Sequence, residues 1–373
     1  MNRFQERHAL LSMLRASLHE EPICAKPTLP SLDWYLLQRL VRHHRVGPLL
    51  SYGLSRTRFG GIPDWVRSEW ETQRREAIAN GLYHLQALEE LATLFEAHGI
   101  PFILLKGEAL SKTCYPVEGL RPYDDIDLLV REDSYEAAKA VLTAVGFRLR
   151  YPHLEFEKRK LFGEIEFDRQ GPRTLTVDLH WDTLMVSWRP PSLLSETLAW
   201  DCCPDRIQVG RRIVPVLGGE ILLLYLCVHY AFHHVFDGLI LLCDLFLALR
   251  REGNRIDWDQ LLQMAGCHQC RQAVYYALTC VQSLLGAQVP TPVLDHLRPP
   301  AQVRLLMPME RLLVRDRAVP QILERCVKFL LIDDEAGRLR AAQSWWRSSK
   351  SWVVTRSGIS SRSKSVDTTA PGA

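Results

Sequence analysis

Apolar residues recur at three- and four-residue spacing in HALLSMLRASL (8–18) and ANGLYHLQALEELATLFEAHGI (79–100), which predicts helices through about residue 95, the last closed by Gly99. The pattern then shortens. PFILLKG (101–107) is a brief apolar run ending in glycine, a buried strand feeding a turn, and PYDDIDLLV (122–130) is a second strand. DSYEAAKAVLTAVGF (133–147) carries a Ser/Asp start and a glycine stop, so a capped helix follows. LEFEKRK (154–160), EIEFDR (164–169) and LTVDLHWDT (175–183) alternate apolar and polar residues, which predicts antiparallel strands extending the sheet. Beyond 186 only RRIVPVL (211–217) keeps a strand pattern. Long helical text takes over at 220–235, 239–253, 258–286 and 308–331. The fold class expected is α/β (α+β): a core with a small mixed sheet at 96–185, an N-terminal helical segment at 1–95 and a C-terminal all-helical domain at 186–346. The Ser/Thr/Lys/Arg-rich stretch 347–373 has too little apolar text to fold alone and is expected to be a disordered tail.

Composition narrows the function classes. The chain has 373 residues, 47% of them hydrophobic, and a formal net charge of +3, so no global field drives it onto nucleic acid and no stable nucleic-acid binding is expected. The charged N-terminus, MNRFQERHALLSMLRASLHE, lacks the apolar stretch of a secretory signal, which sets a cytoplasmic expectation. The ten cysteines are scattered through apolar text and read as reduced thiols. ILLLYLCVHYAF (221–232) is shorter than the roughly 20 residues a bilayer span needs, so no membrane span is expected.

The chemistry concentrates in the strands. Residues two apart on a strand share a face, so Asp125 and Asp127 project together while Ile126 and Leu128 enter the core. Adjacent carboxylates repel unless a cation lies between them, and oxygen-only ligands suit Mg²⁺ or Mn²⁺. Asp178, in LTVDLHW, is a third acid in a matching setting and shares its face with His180. Gly107 stands where a strand turns into a helix, so bare backbone N–H groups can approach a phosphate there; Lys106 and Arg121 flank the acids as candidate nucleotide contacts.

A strand ending in a glycine turn, a helix, a D-x-D strand and a later acidic strand resemble the DNA polymerase β-type nucleotidyltransferase superfamily. More closely, LLKG, RPYDDIDLLV and VDLHW resemble a bacterial family of uncharacterised nucleotidyltransferases, over about 100–182. The resemblance implies that Asp125, Asp127 and Asp178 are catalytic metal ligands for Mg²⁺ or Mn²⁺. It further implies that Gly107 belongs to the phosphate loop and that a nucleoside monophosphate passes from a nucleoside triphosphate to an acceptor. The acceptor is not readable. A small molecule or sugar of a biosynthetic pathway, a protein or RNA, and a silent nucleotide- or partner-binding module stay open. Two departures stand out: Glu108 replaces the usual second small residue, and the gap from Gly107 to Asp125 is long.

Several residues have plainer readings. Asp124 lies on the opposite face from Asp125 and reads as a capping residue, while Arg121 has Asp124 or Glu118 as rival partners. His229, His233 and His234 stand on one apolar helix; without HExxH they read as hydrogen-bonded core histidines, not zinc ligands. Asp244, isolated in LLCDLFLAL, requires a partner, for which His233, His234 or an arginine is the candidate. Cys267 and Cys270 form a single CxxC and read as packing. Trp345-Trp346 either anchors a partner or caps the helical domain.

Overall fold

The computed structural model describes residues 4–19, 32–56, 61–156, 163–182, 200, 205–307, 309, 313–317 and 319–343. The expected tail and the Trp345-Trp346 pair lie outside these residues.

The chain begins with helices α1 (Phe4–His19), α2 (Trp34–His43), α3 (Gly47–Arg56) and the 34-residue α4 (Asp64–Ala97). Helix α4 ends where Gly99 takes a positive φ of 65°, the stop that the sequence predicts. Strand β1 (Phe102–Leu104), the short α5 (Glu108–Thr113), β2 (Asp125–Val130), α6 (Tyr135–Ala144), β3 (Arg148–Leu149), β4 (Glu164–Arg169) and β5 (Leu175–His180) follow. The strand expected at 154–160 does not form in its described part: Pro152–Leu154 is a 3₁₀ turn and Glu155 and Phe156 are helical. Proline at the start of that turn sets its φ and overrides the alternating pattern; residues 157–160 lie outside the described set.

Strands β6 (Asp205–Val209) and β7 (Arg212–Val216) form a hairpin that joins the same sheet, whose order is β3-β4-β5-β2-β1-β7-β6. The sheet is mixed, with β1–β2 and β4–β5 antiparallel and β2–β5 and β1–β7 parallel. Two strands from beyond residue 185 thus extend it on the β1 side. Only β7 carries the strand pattern read in the sequence; DRIQV has two apolar residues, and no strand is expected there.

The helices α7 (Gly219–Val228), α8 (Leu239–Glu252), α9 (Trp258–Cys267), α10 (Arg271–Leu285), α11 (Thr291–Leu297), α12 (Ala301–Leu306) and α13 (Gln321–Leu331) follow, with a last helical stretch at 335–343. A π-helical turn, His229–His233, continues α7. The long pattern at 258–286 breaks at Gln269 (φ 51°), so Cys267 ends exposed and Cys270 buried, with no shared site. In the helical text at 308–331, Met309 is helical, residues 313–317 are not, and α13 begins after Pro320; residues 308, 310–312 and 318 lie outside the described set.

Two apolar cores lie on opposite faces of the sheet. One face packs Ile126, Leu128, Val130, Phe167, Val177 and Leu179 against α4 and α6. The other contributes Ile103, Leu105 and Leu129 to a core that α1–α3 share with α7–α10. Helices from both sides of the sheet in sequence therefore form one layer, and this layer faces the acids of β2 and β5. Among the described residues no helix is long and apolar enough to cross a membrane.

Candidate active site

The period-two geometry of β2 places Ile126 and Leu128 in the α4 core, which leaves Asp125 and Asp127 on the face toward the helical layer. Parallel pairing with β5 sets Asp127 directly opposite Asp178, and Asp125 opposite Thr176. Antiparallel pairing of β4 with β5 adds Glu166 opposite Asp178 and Glu164 opposite His180. Sequence reasoning did not single out Glu164; the alternation of EIEFDR held the signal, since it places Glu164, Glu166 and Asp168 on one face.

Asp127 is fully buried. Its Oδ1 receives Lys106 Nζ at 2.7 Å and lies 3.0 Å from His180 Nε2. Nδ1 of the same imidazole is 3.5 Å from Glu164 Oε2, so His180 is held between two carboxylates. Burial alone would raise the Asp127 carboxyl, but the Lys106 ammonium and the His180 contact hold it down to about 2. At Asp178 the Lys106 and His180 charges do not offset the same cost. Burial first, then repulsion by Asp127 and Asp125, pushes this carboxyl up to about 8, and Asp125 is raised chiefly by Asp127.

Among the described residues, Asp127 Oδ2 and Asp178 Oδ1 are buried without a hydrogen-bond partner. Two unpaired carboxylate oxygens on neighbouring strands are costly unless a cation meets them, so the donor set fits a divalent ion. Asp127, Asp178 and His180 each offer a ligand atom within 4.8 Å of one another, with Asp125 beside them on the same strand face. Because Asp127 Oδ1 is occupied by Lys106 and His180, Oδ2 is the oxygen left for an ion. His180 is thereby an orienting partner of that carboxylate.

Gly107 has φ 61° and ψ −114°, a conformation that only glycine adopts without strain, and it caps α5. Glu108 is buried, accepts a hydrogen bond from the Tyr123 hydroxyl and pairs with Lys112 at 3.3 Å. The departure from a small residue is thus absorbed by a side chain turned away into its own polar contacts.

Arg121 is also buried. Its Nε and Nη2 each lie 2.9 Å from an oxygen of Asp244, which also accepts a 2.7 Å hydrogen bond from Tyr115. Of the partners considered for Asp244, an arginine is therefore the one found. Asp124 in turn pairs with Arg45 at 2.8 Å, not with Arg121.

Asp125, but neither Asp127 nor Asp178, lines an adjoining cleft of about 350 Å³. Lys106, Arg121, Tyr123 and Asp125 line its sheet side, and His229, His233 and His234 line its helical side. The three histidines, expected as core residues, thus form a cleft wall. His229 Nε2 and His234 Nε2 are 3.1 Å apart, so one donates and the other accepts. His43 Nε2 contacts both Asp237 oxygens at 2.9 and 3.0 Å on the same wall. The neighbouring His44 Nδ1 accepts the Leu239 N–H at 3.3 Å, which occupies its lone pair.

Comparison with curated proteins yields no match. The family model described as "uncharacterised nucleotidyltransferase" matches residues 30–286, a span that includes both the acidic strands and the histidine wall. That span covers more than half of the chain, and the chain accordingly belongs to this family of uncharacterised nucleotidyltransferases.

Proposed function

We propose that the protein transfers a nucleoside monophosphate from a nucleoside triphosphate to a small acceptor, with Asp125, Asp127 and Asp178 as the catalytic carboxylates. The observation that carries this reading is the Asp127–Asp178 register pair, with two buried oxygens that lack a partner among the described residues, next to Lys106 and Asp125 in the wall of a cleft of small-molecule size. Asp127 Oδ2, Asp178 and Asp125 would hold Mg²⁺ or Mn²⁺, which supplies charge neutralisation at the phosphates. Lys106, anchored on Asp127, and the backbone at Gly107 bind and orient the triphosphate. Arg121 forms part of the cleft wall, and its Asp244 partner fixes the guanidinium rather than leaving it to swing toward phosphate.

In the reaction an acceptor oxygen or nitrogen bonds to the α-phosphorus as the bond to the bridging oxygen breaks. Pyrophosphate leaves, and the acceptor's proton passes to a base. Positioning and charge neutralisation supply most of the acceleration in such phosphoryl transfers. The cleft's cations are paired within the protein: Lys106 with Asp127, Arg45 with Asp124 and Arg121 with Asp244. That favours a small molecule or sugar over a nucleic-acid backbone, and a cytoplasmic setting suits such a reaction.

Thermal unfolding against ATP, GTP, CTP and UTP, with and without Mg²⁺ or Mn²⁺, tests the reading. A ligand at about 100 times its Kd adds roughly 2.7 kcal/mol, which raises the midpoint by several degrees. A metal-dependent rise for at least one nucleotide, lost in Asp125→Asn/Asp127→Asn, is the expected result. A flat response to all four overturns it.

A further inference from the structure

The helical wall of the cleft holds a column of flat rings. Tyr225 stacks on His229 with centroids 5.6 Å apart and planes 18° apart, and His229 stacks on His233 at 5.0 Å and 24°. Tyr225 is 2% exposed and His229 8%, whereas His233 is only half-buried, so the column runs from the interior to the cleft. Its inner end lies near the catalytic acids, since Lys106, Asp127 and Asp125 are all charged neighbours of Tyr225.

The backbone that builds the column is unusual. His229–His233 is a π-helical turn, a form that is rare and often tied to function. Val235 and Phe236 then take φ of 49° and 60°, a left-handed conformation costly for a β-branched and an aromatic residue. Across the π turn His234, five residues on, comes within 3.1 Å of His229, while His233 keeps the one-turn spacing that stacks it on His229.

We propose that the outer face of His233 is the stacking platform for the base of the nucleoside triphosphate, with His234, tethered to His229, at the base's polar edge. This rests on the transferase reading above and extends it to the donor. The class of ligand follows from three features of the wall. A flat ring face continues an existing stack, Val235, Ile240, Leu241 and Val319 give the same cleft an apolar side, and the phosphate-binding elements stand opposite. A planar heteroaromatic ring joined to a polyphosphate satisfies all three, whereas a simple sugar or alcohol leaves the ring face unused.

Isothermal titration of the full chain with Mn²⁺ tests this without any acceptor. The probes are the best-binding of the four nucleotides, ribose 5-triphosphate, which lacks a base, and inorganic tripolyphosphate. In the wild type the nucleotide should bind about tenfold or more tightly than ribose 5-triphosphate, in line with the strength of base–ring stacking. His233→Ala should remove that difference while leaving tripolyphosphate affinity unchanged, and His233→Phe should keep it. Equal affinity of nucleotide and ribose 5-triphosphate in the wild type overturns the proposal, and that comparison needs no variant to fold. So does a nucleotide preference intact in a folded His233→Ala protein, which would give the column to the acceptor. Failure of all three probes to bind with Mn²⁺ overturns the transferase reading itself, and the platform with it.

Discussion

Arg121 and Asp244 form a buried two-pronged ion pair that ties the segment before β2 to helix α8, across the cleft from the sheet. Removing one partner leaves a charge without compensation, whereas replacing both with apolar groups does not. Asp244→Ala is expected to destabilise the protein by about 3–5 kcal/mol in urea unfolding. Arg121→Met/Asp244→Leu should recover a large part of that loss. A double variant no more stable than Asp244→Ala would show that the pair does more than neutralise itself.

The Asp178 carboxylate lies under the repulsion of two other acids, with one oxygen buried and unpartnered. Without metal, Asp178→Asn should raise stability at pH 8 by at least about 1 kcal/mol, because the amide is not forced to ionise beside Asp127. The same substitution should abolish stabilisation by Mn²⁺. Calorimetry of both proteins, with and without metal, reads both effects. Loss of stability in the metal-free variant would mean that repulsion is not the dominant interaction at that position.

His180 spends its two nitrogens on Asp127 and Glu164. Its replacement by Phe keeps the ring volume but frees Asp127 Oδ1 to rotate, so Mn²⁺ affinity should fall by about 10- to 100-fold, as for other outer partners of metal ligands. Nucleotide-free Mn²⁺ titration monitored by water-proton relaxation measures it, and unchanged affinity would remove His180 from the site's support.

Acid should destabilise the fold through histidines held neutral. Burial, aided by the neighbouring His43, lowers His44 from 6.5 to about 3, and burial followed by the Lys106 charge lowers His229 in the same direction. Below about pH 6.5 the unfolded chain binds protons that the folded chain refuses, so stability falls as pH drops toward the folded values. For His44 the loss at pH 5 is about 2 kcal/mol. Urea unfolding at pH 8, 6.5 and 5 should show the decline, with a shallower slope in His44→Phe.

Much of this arrangement is legible in the sequence because strands write their geometry locally. DIDLLV and LTVDLH carry the period-two pattern that puts Asp125, Asp127 and Asp178 on one face, and LLKG marks the turn at Gly107. The register that sets Asp127 opposite Asp178 is not local, since it is fixed by how two strands 50 residues apart pack on α4 and α6. The same holds for Arg121, whose partner lies 123 residues away on α8. The histidines were visible as one face of an apolar helix, and that pattern is the same for a core and for a cleft wall. The π turn and the positive φ at Val235 and Phe236, beside which His234 meets His229, have no sequence signature. DRIQV of β6 was missed because a hairpin edge needs few apolar residues.

The apolar layer that α1–α3 share with α7–α10 has a bearing on biosynthesis. As the chain leaves the ribosome, Leu10, Leu14, Leu37 and Leu40 are made long before Leu222, Leu242 and Leu278, with which they are finally buried. The first helices must therefore wait, incompletely covered, until some two hundred further residues have been translated. That delay is a window in which exposed apolar surface attracts chaperones, because α1–α3 reach their native surroundings only after α7–α10 have been made.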